Sequence, residues 1–421
     1  MKKVTLEQKM SMKSLLNANK TYAEIASELD LSKSVVRKWC QRIKKGDCLS
    51  PQMGRPKKGS LSTFSKLIVD KIDLYRPDKE GWAADTIKVE LELCKKLTGL
   101  AKPSATSINR YLASKGRVKT YSKHSNLAID PVVATKRPHD LWQLDAEGNC
   151  YLENIGYITM INLKEIHCKV YVQHFPCRLA GANNHATTKD YQNVLRLGMM
   201  HLGMPKGLQV DHESIYFDNV NPSPFPTTFH LWLIGLKMKM YLTPKGKPFK
   251  QGSVEKSHQT IQNQVIKGQT FKTWKELFAR CQQRRDRLNY HIPCRSLNKQ
   301  APLVANPKAK HSGRFYHPDQ EEELFDRKRI HNYLEKGKWY RKISTGKVCW
   351  LGSNRYYLAK AKPNTETMIK FEKKTLSFIF YDADENVITS KIALGLTFKD
   401  CLLYTSPSPR DATLSRMPSS A

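Results

Sequence analysis

Apolar residues recur at helical spacing near the start of the chain. Two such stripes lie between residues 21 and 45: Tyr22, Ile25, Ala26 and Leu29, then Val36, Trp39, Cys40 and Ile43. Thr21 with Glu24 has the pattern of a capping box ahead of the first stripe. Cations fill the other side of the second: Lys33, Arg37, Lys38 and Arg42. Residues 1–50 therefore predict a helix-turn-helix whose second helix reads DNA, with an ordinary helical hairpin as the alternative.

A basic linker and a second helical domain are predicted next. Residues 51–61 combine Gly and Pro with positive charge, and Arg55 and Lys57 are candidate DNA contacts there. Residues 62–125 predict three helices, at 63–75, 83–97 and 104–115. Ser104 is a candidate N-cap of the third. Three cations at the end of that helix mark it as a second DNA-reading helix: Arg110, Lys115 and Arg117.

From residue 137 to 305 the pattern alternates between strands and helices. Strands are predicted at 141–144, 157–163, 169–175 and 207–211, and helices at 188–202, 229–236, 253–267 and 274–288. This order predicts a mixed α/β sheet. Residues 335–395 then predict a small β-barrel of five short strands, at 339–343, 347–350, 355–358, 367–371 and 376–381.

The last 21 residues, 401–421 (CLLYTSPSPRDATLSRMPSSA), have no periodicity of either kind. They resemble the in-frame translation of a sequencing-library adapter. We expect this tail to be non-native and the natural C-terminus to be missing.

Charge changes the picture more than length does. The 421 residues include 71 Lys and Arg but only 38 Asp and Glu, a formal charge of +33. A chain this basic attracts a polyanion and releases its counterions. Between residues 95 and 126 eight cations occur without any acid, so part of the excess is concentrated in a patch. Nucleic acid is the expected partner.

The sequence also argues against two other classes of protein. No stretch approaches the roughly 18 uncharged apolar residues of a membrane span, and the N-terminus has no signal core, so we expect the cytoplasm, with nucleoid association in a prokaryotic host. The ten cysteines are scattered without a Cys-x-x-Cys pair or a zinc-type His and Cys set, so they are interpreted as reduced thiols.

Three carboxylates are candidate catalytic residues and metal ligands. Asp145 and Asp211 each follow a predicted strand, and Glu255 lies in the first turn of a predicted helix with Ser253 as its N-cap. Three acids in one pocket require cations, and oxygen ligands suit Mg²⁺ or Mn²⁺. Two such ions can activate an attacking oxygen and stabilise a leaving oxygen in phosphoryl transfer. A single Asp at the end of a strand is more often a turn residue, so spacing alone leaves the question open.

Five segments resemble the retroviral-integrase-like DDE transposases of bacterial insertion sequences: 137–145 (RPHDLWQLD), 208–211 (LQVD), 250–260 (KQGSVEKSHQT), 289–293 (NYHIP) and 296–302 (SLNKQAP). The resemblance extends over roughly residues 10–390. It implies a ribonuclease H-like core with Asp145, Asp211 and Glu255 as the catalytic triad holding two Mg²⁺ or Mn²⁺ ions. It also implies strand cleavage by water, followed by attack of the freed 3′-hydroxyl on target DNA.

The chain departs from that family at three places. Glu213 stands where relatives usually have Gly, and Gln262 where many have Lys or Arg. The 43 residues at 212–254, between the second Asp and the Glu, are more than is typical of the family. On the third motif, Lys256 and His258 are further candidate DNA contacts, with a merely solvated helix as the alternative.

These features predict a transposase or integrase that binds terminal repeats and target double-stranded DNA through residues 1 to about 125, and joins them as a homo-oligomer. The alternative is a catalytically inert DNA-binding regulator derived from a transposase. A tyrosine recombinase would also be basic, but the acidic triad gives no support to its Arg, His and Tyr chemistry.

Overall fold

The computed structural model describes residues 4–46, 59–118, 132–219, 223–246 and 248–396. Most of the predicted linker, with Arg55 and Lys57, and the tail at 401–421 lie outside the described residues. The chain divides into two compact units, Met1–Ser62 and Thr63–Ala421. Within the described residues no helix is both long enough and apolar enough to cross a bilayer.

The first unit is a bundle of three helices, α1 Leu6–Asn17, α2 Tyr22–Glu28 and α3 Lys33–Lys44. Its core is formed by Met12, Ile25, Val36 and Cys40. The capping box of Thr21 and Glu24 is confirmed, and a second one, of Thr5 and Gln8, opens α1. Sequence patterning gave bounds for α2 and α3 but none for α1, which buries a single apolar residue, Met12.

The second unit begins with three helices, α4 Lys66–Tyr75, α5 Ala84–Leu93 and α6 Ala105–Ser114. The Ser104 side chain accepts a hydrogen bond from the backbone N–H of Ser107, as predicted for an N-cap. These helices pack against the rest of the unit through buried polar contacts. The indole of Trp82 donates to the carbonyl of Asn263, and Glu90 pairs with Arg284 at 2.6 Å and with Arg287.

The centre of the second unit is a six-stranded mixed sheet in the order β2-β3-β1-β5-β6, with β4 also paired to β3. β1 pairs antiparallel with β3 and parallel with β5, which itself runs parallel to β6. The strands are β1 Trp142–Ala146, β2 Cys150–Leu152, β3 Gly156–Glu165, β4 Tyr171–Arg178, β5 Gly207–Val210 and β6 Lys239–Leu242. The predicted mixed sheet is confirmed, although patterning missed the short strands β2 and β6.

Helices pack on this sheet, and others follow it along the chain. Their bounds are α7 Thr188–Leu202, α8 Thr228–Gly235, α9 Gly252–Ile261, α10 Trp274–Tyr290, α11 Pro302–Ala305, α12 Glu321–Leu324 and α13 Arg327–Leu334. One turn of π-helix, Gln262–Ile266, continues α9. The polar stretch before residue 338 contains α13, missed from the sequence, which buries Ile330 and Leu334.

The C-terminal strands form open sheets, so the predicted barrel is wrong. Four strands pair antiparallel in the order β12-β11-β10-β7, and β8 with β9 forms a separate hairpin. Among the described residues no pairing joins β12 to β7. Aromatic packing closes this core instead, because Phe378 contacts Tyr356 of the hairpin and Phe225 of a distant loop. The strands are β7 Lys338–Lys342, β8 Val348–Leu351, β9 Asn354–Tyr357, β10 Glu366–Glu372, β11 Ser377–Tyr381 and β12 Val387–Ile392.

Candidate active site

Asp145 and Asp211 lie where two parallel strands part. The ladder between β1 and β5 pairs Trp142 with Leu208 and Gln143 with Gln209, and it ends there. Asp145 is two residues beyond Gln143, inside β1, and Asp211 is two residues beyond Gln209, just after β5. Side chains two residues apart on a strand share a face of the sheet. The two carboxylates therefore lie on one face, at the opening between the strands.

Buried amides fix the floor beneath this opening. The Gln143 amide nitrogen donates to the Gln209 side-chain oxygen at 3.1 Å and to the Lys250 carbonyl at 2.9 Å. Gln209 donates to the same carbonyl at 3.1 Å and to the Thr243 hydroxyl at 3.1 Å. Since Lys250 immediately precedes α9, these bonds attach the start of that helix to both strands.

Glu255 lies in the first turn of α9 and is exposed. The helix begins at Gly252 with Gln251 at the N-cap, so the predicted N-cap, Ser253, is wrong. Ser253 is already helical, and its carbonyl accepts from the Ser257 hydroxyl and the Lys164 ammonium, both at 3.3 Å. A bond from β3 therefore determines where this helix turn lies.

The carboxylates act on one another electrostatically. Burial raises the pKa of Asp211, and the negative charge of Asp145 raises it further. Burial and the same Asp145 charge raise the pKa of Glu255. Repulsion of this kind falls off with distance, so Asp145 is the common neighbour of the other two. Asp145 on β1 is thus close enough to act both on Asp211, after β5, and on Glu255, in α9.

Glu213 is a fourth acid in this group. Burial raises the pKa of Glu213, and the charges of Asp211 and Asp145 add to the effect. Its carboxylate accepts a hydrogen bond from the Tyr191 hydroxyl at 3.0 Å, while its backbone N–H donates to Asp211 at 3.0 Å. Glu213, where the chain departs from the resembled family, therefore lies at the site and is held there by Tyr191 of α7.

His258, predicted as a DNA contact, lies against the carboxylates in the structure. The ring is buried, with Nε2 3.2 Å from Asp145 Oδ2 and Nδ1 3.6 Å from Glu147 Oε2. Burial lowers the pKa of His258, but hydrogen bonds with the two carboxylates outweigh burial and raise it to about 9. Asn162 bridges His258 Nδ1 and His174 Nδ1, 2.6 Å from each, behind the imidazole ring.

The donor chemistry of the site suits Mg²⁺ or Mn²⁺, because carboxylate oxygens predominate. Within the described ranges, however, no three His, Cys, Asp or Glu side chains converge as ligands of one ion. The carboxylates approach closely enough to repel one another without forming a coordination sphere. These carboxylates therefore fit Mg²⁺ or Mn²⁺ by the chemistry of their donor atoms and by their proximity, and not by a formed coordination geometry.

The predicted DNA contacts outside α9 are mostly exposed. Those on α3 are Lys33, Arg37, Lys38 and Arg42, and those on α6 and just after it are Arg110 and Lys115. Arg117 departs from the prediction, because it pairs with Asp73 at 2.5 Å and donates to the Arg76 carbonyl at 3.1 Å. These bonds hold the end of α6 against α4. On α9, Lys256 is exposed and donates to Gln259.

Sequence reasoning missed Asn162, His174 and the inward direction of His258. The available signal was spacing, since His258 follows Val254 by four residues and both are buried on the same face of α9. The partners on β3 and β4 are about 100 residues away, and no local pattern pairs them.

No protein-family model matches the chain, and no curated protein matches it. Several solved structures superpose on part of it. The catalytic core domain of HTLV-2 integrase in complex with magnesium has 12% identity in its trimeric form, covers 41% of this chain and 97% of its own, and gives a TM-score of 0.30. The dimeric form has 12% identity, coverages of 39% and 94%, and a TM-score of 0.29.

A third structure is the simian T-cell lymphotropic virus intasome in complex with the PP2A regulatory subunit B56 gamma. It has 14% identity, covers 68% of this chain and 91% of its own, and gives a TM-score of 0.32. At such scores the superposition is partial, and the functional interpretation depends on the geometry of the carboxylates.

Proposed function

We propose that this chain is a DDE-type polynucleotidyl transferase, a transposase or integrase that cleaves and joins DNA strands. The observation that supports the proposal is the electrostatic effect of Asp145, on β1, on both Asp211, just after β5, and Glu255, in the first turn of α9. Acids that raise one another's pKa in this way are concentrated at sites that use them.

In this proposal the three carboxylates hold two Mg²⁺ or Mn²⁺ ions, which supply activation of the attacking oxygen and stabilisation of the leaving oxygen. The chain's own residues do the rest. His258 holds the Asp145 carboxylate in position from behind the sheet face. The amides of Gln143 and Gln209 keep the two strands and the start of α9 in fixed relation, so the acids stay aligned.

DNA recognition belongs to the basic helices in the same proposal. The exposed cations of α3 and α6 contact terminal repeats, and the formal charge of +33 supports binding to the phosphate backbone. Joining two DNA ends in one reaction requires two binding sites, so the proposal includes a homo-oligomer on DNA.

The first test is metal-dependent cleavage and joining of the DNA ends that flank the gene, with the full chain. Asp145→Asn, Asp211→Asn and Glu255→Gln each remove one charge with little change in shape. We expect each variant to reduce both products to background in Mg²⁺ and in Mn²⁺, while binding to the same DNA persists.

Glu153→Gln is the matched control, since it removes an exposed carboxylate just after β2. Its activity should equal that of the unmodified chain. Equal loss in the control would attribute the effect to net charge and would contradict the catalytic assignment.

A specific observation favours a second candidate function, the inert DNA-binding regulator. Asp145 is occupied by His258, and no three ligands of one ion converge among the described residues. Tight binding of the DNA ends, with neither cleavage nor joining in Mg²⁺ or Mn²⁺, would establish the regulator and contradict the transferase.

A further inference from the structure

A cleft lined by basic residues lies at the first turn of α9, the turn that carries Glu255. The cleft encloses about 470 Å³, and its five charged lining residues are all cations: Lys164, Lys169, Lys250, Lys256 and Arg295. Lys164 lies on β3 and Lys169 in the turn between β3 and β4. Lys250 precedes α9, Lys256 lies within α9, and Arg295 lies in the loop after α10. We call this set the cation cleft.

Four of the five cations of the cation cleft have no acidic partner among the described residues. No Asp or Glu lines it, and Lys164, Lys169, Lys256 and Arg295 form no ion pair with any described residue. Lys164 is only 6% exposed, with its ammonium 3.3 Å from the Ser253 carbonyl and 4.2 Å from the Tyr171 ring centroid. Burying a cation without a counter-ion is costly, so the cleft is built to receive an anion.

The larger cavity between the α4–α6 helices and α10, of about 580 Å³, gives the contrast. Two acids line it, and three of its five cations pair with them, because Arg284 and Arg287 pair with Glu90 and Lys267 pairs with Glu80. The cation cleft, in contrast, has no acid in its lining and includes residues of the first turn of α9, which carries Glu255.

The N-terminus of α9 adds to the same field. Gln251 makes no side-chain capping bond, and Gly252 and Ser253 line the cleft. The first N–H groups of a helix carry partial positive charge, and α9 has ten residues, long enough for that effect. Side-chain charge and helix dipole therefore favour an anion at one place.

We infer that the cation cleft holds the phosphodiester backbone of the DNA strand that enters the active site, an inference that depends on the proposed function. Gln143 and Lys164 are paired across β1 and β3 at the cleft, while Asp145 and Asn162 are paired two residues further on the same face. Two residues of strand span about 7 Å. A backbone lying in the cleft is thereby directed to the carboxylates.

A strand fits the cleft better than one small anion does. Its five cations come from four segments of chain, and a single phosphate, with about two negative charges, cannot neutralise them. A nucleic acid strand presents a negative charge every roughly 3.4 Å along its axis, so successive phosphates meet successive cations. The occupant of the cation cleft is therefore DNA.

Cys294 provides a built-in reporter, because its half-buried thiol lines the cleft. The experiment measures the rate of alkylation of each cysteine by mass spectrometry, in the full chain, with and without a 30-base-pair duplex in EDTA (about three helical turns). Cys94 and Cys150 are half-buried thiols elsewhere and serve as internal controls. We expect the duplex to slow alkylation of Cys294 severalfold and to leave Cys150 and Cys94 unchanged.

A double variant, Lys169→Asn with Arg295→Gln, tests the charges. Lys169 has φ of 64°, a left-handed conformation that Asn tolerates, so the turn should keep its shape. We expect the protection of Cys294 to be lost and the slope of log affinity against log salt to fall by about 2, since each phosphate contact contributes roughly 0.9. Lys308→Gln with Lys310→Gln removes two exposed cations outside the cleft and should change neither.

Each remaining outcome overturns the inference. DNA that binds without protecting Cys294, or slopes that fall equally in both double variants, would show that the strand lies elsewhere, with the proposed function untouched. Protection by inorganic phosphate at equal ionic strength would make the cleft a small-anion site. Because EDTA prevents chemistry, failure of strand cleavage in the separate Mg²⁺ assay would contradict the proposed function without altering these results.

Discussion

His139 shows how a single buried ring fixes its own protonation state. The Trp142 indole donates to Nδ1 at 3.1 Å, so Nδ1 has no proton and Nε2–H donates to the Ala309 carbonyl at 3.1 Å. Burial lowers the pKa of His139 to about 4, because the charged form is desolvated and Nδ1 is already engaged. The neutral tautomer therefore attaches the start of β1 to the segment after α11.

The lowered pKa of His139 makes the stability of the folded chain depend on pH. The unfolded chain takes up a proton near pH 6.5 and the folded chain only near pH 4, so the stabilisation is complete above pH 6.5 and is lost as pH falls to about 4. The shift corresponds to about 3 kcal/mol. We expect the unfolding free energy from urea titrations to decline across this range, and less steeply in His139→Gln.

His230 gives the comparison for that measurement, since burial also lowers its pKa to about 4. His230→Gln should remove a similar share of the slope. His317 is exposed, and a slope that changes as much in His317→Gln as in His139→Gln would contradict the assignment.

At the scale of elements, a buried ion pair joins α5 to α10. Glu90 and Arg284 are only 3% and 5% exposed, and Arg287 shares the same carboxylate. Arg284 also donates to Gln264 in the π turn at 2.7 Å. The helices α4–α6 are thereby attached to the segment that follows Glu255.

Glu90→Ala would leave two arginines without their carboxylate, which typically costs about 3–5 kcal/mol when the pair is buried. Glu92→Ala, on the same helix, removes an exposed pair with Lys88 and should cost about 0.5 kcal/mol or less. Chemical denaturation of the full chain measures both. Similar losses for the two variants would show that the buried pair has no special weight.

Local pattern predicted most elements of the sheet and its helices. The bounds of α7 agree with the prediction at both ends, because Thr187 opens it with a capping box and Gly203 ends it. Strands β2, β6 and β12 were missed, since each is short or only partly buried and so has no clear alternation. The predicted barrel failed because strand pairing and aromatic closure are tertiary properties.

The site was predicted only in part, for a similar reason. The three acids follow from motif resemblance, but the partners of His258 lie 113 and 96 residues away, and Glu90 lies 194 residues from Arg284. Contacts at such separations leave no periodic trace in a single sequence. The same holds for Arg117. Its charge predicted a DNA contact, but its side chain forms an ion pair with Asp73 within the protein.

At the scale of the whole molecule, the excess of positive charge is distributed over two units. The first unit has its own core of Met12, Ile25, Val36 and Cys40 and presents the cations of α3 to solvent. Under the proposed function, DNA binding by that unit should therefore be separable from strand cleavage and joining by the second.

We expect residues 1–62, expressed alone, to unfold cooperatively and to bind duplex DNA. Arg37→Gln with Lys38→Gln should lower the slope of log affinity against log salt by about 2, by removing two phosphate contacts. Fluorescence anisotropy across a salt series measures this. Glu7→Gln, on α1, is a surface control whose slope should stay the same. An unchanged slope in the double variant would contradict DNA contact by α3.

The π turn at Gln262–Ile266 is a place where the helix holds one residue more than an α-helical turn needs. Deleting one residue there would restore ordinary α-helical winding and leave the chain beyond it nearly in place. A deletion in α9 between Glu255 and the π turn would instead rotate everything beyond it by about 100°, so that Lys267 would leave Asp78 and Glu80. The π turn is thus the point at which this helix can lose a residue while Glu255 and the ion pairs of Lys267 both keep their places.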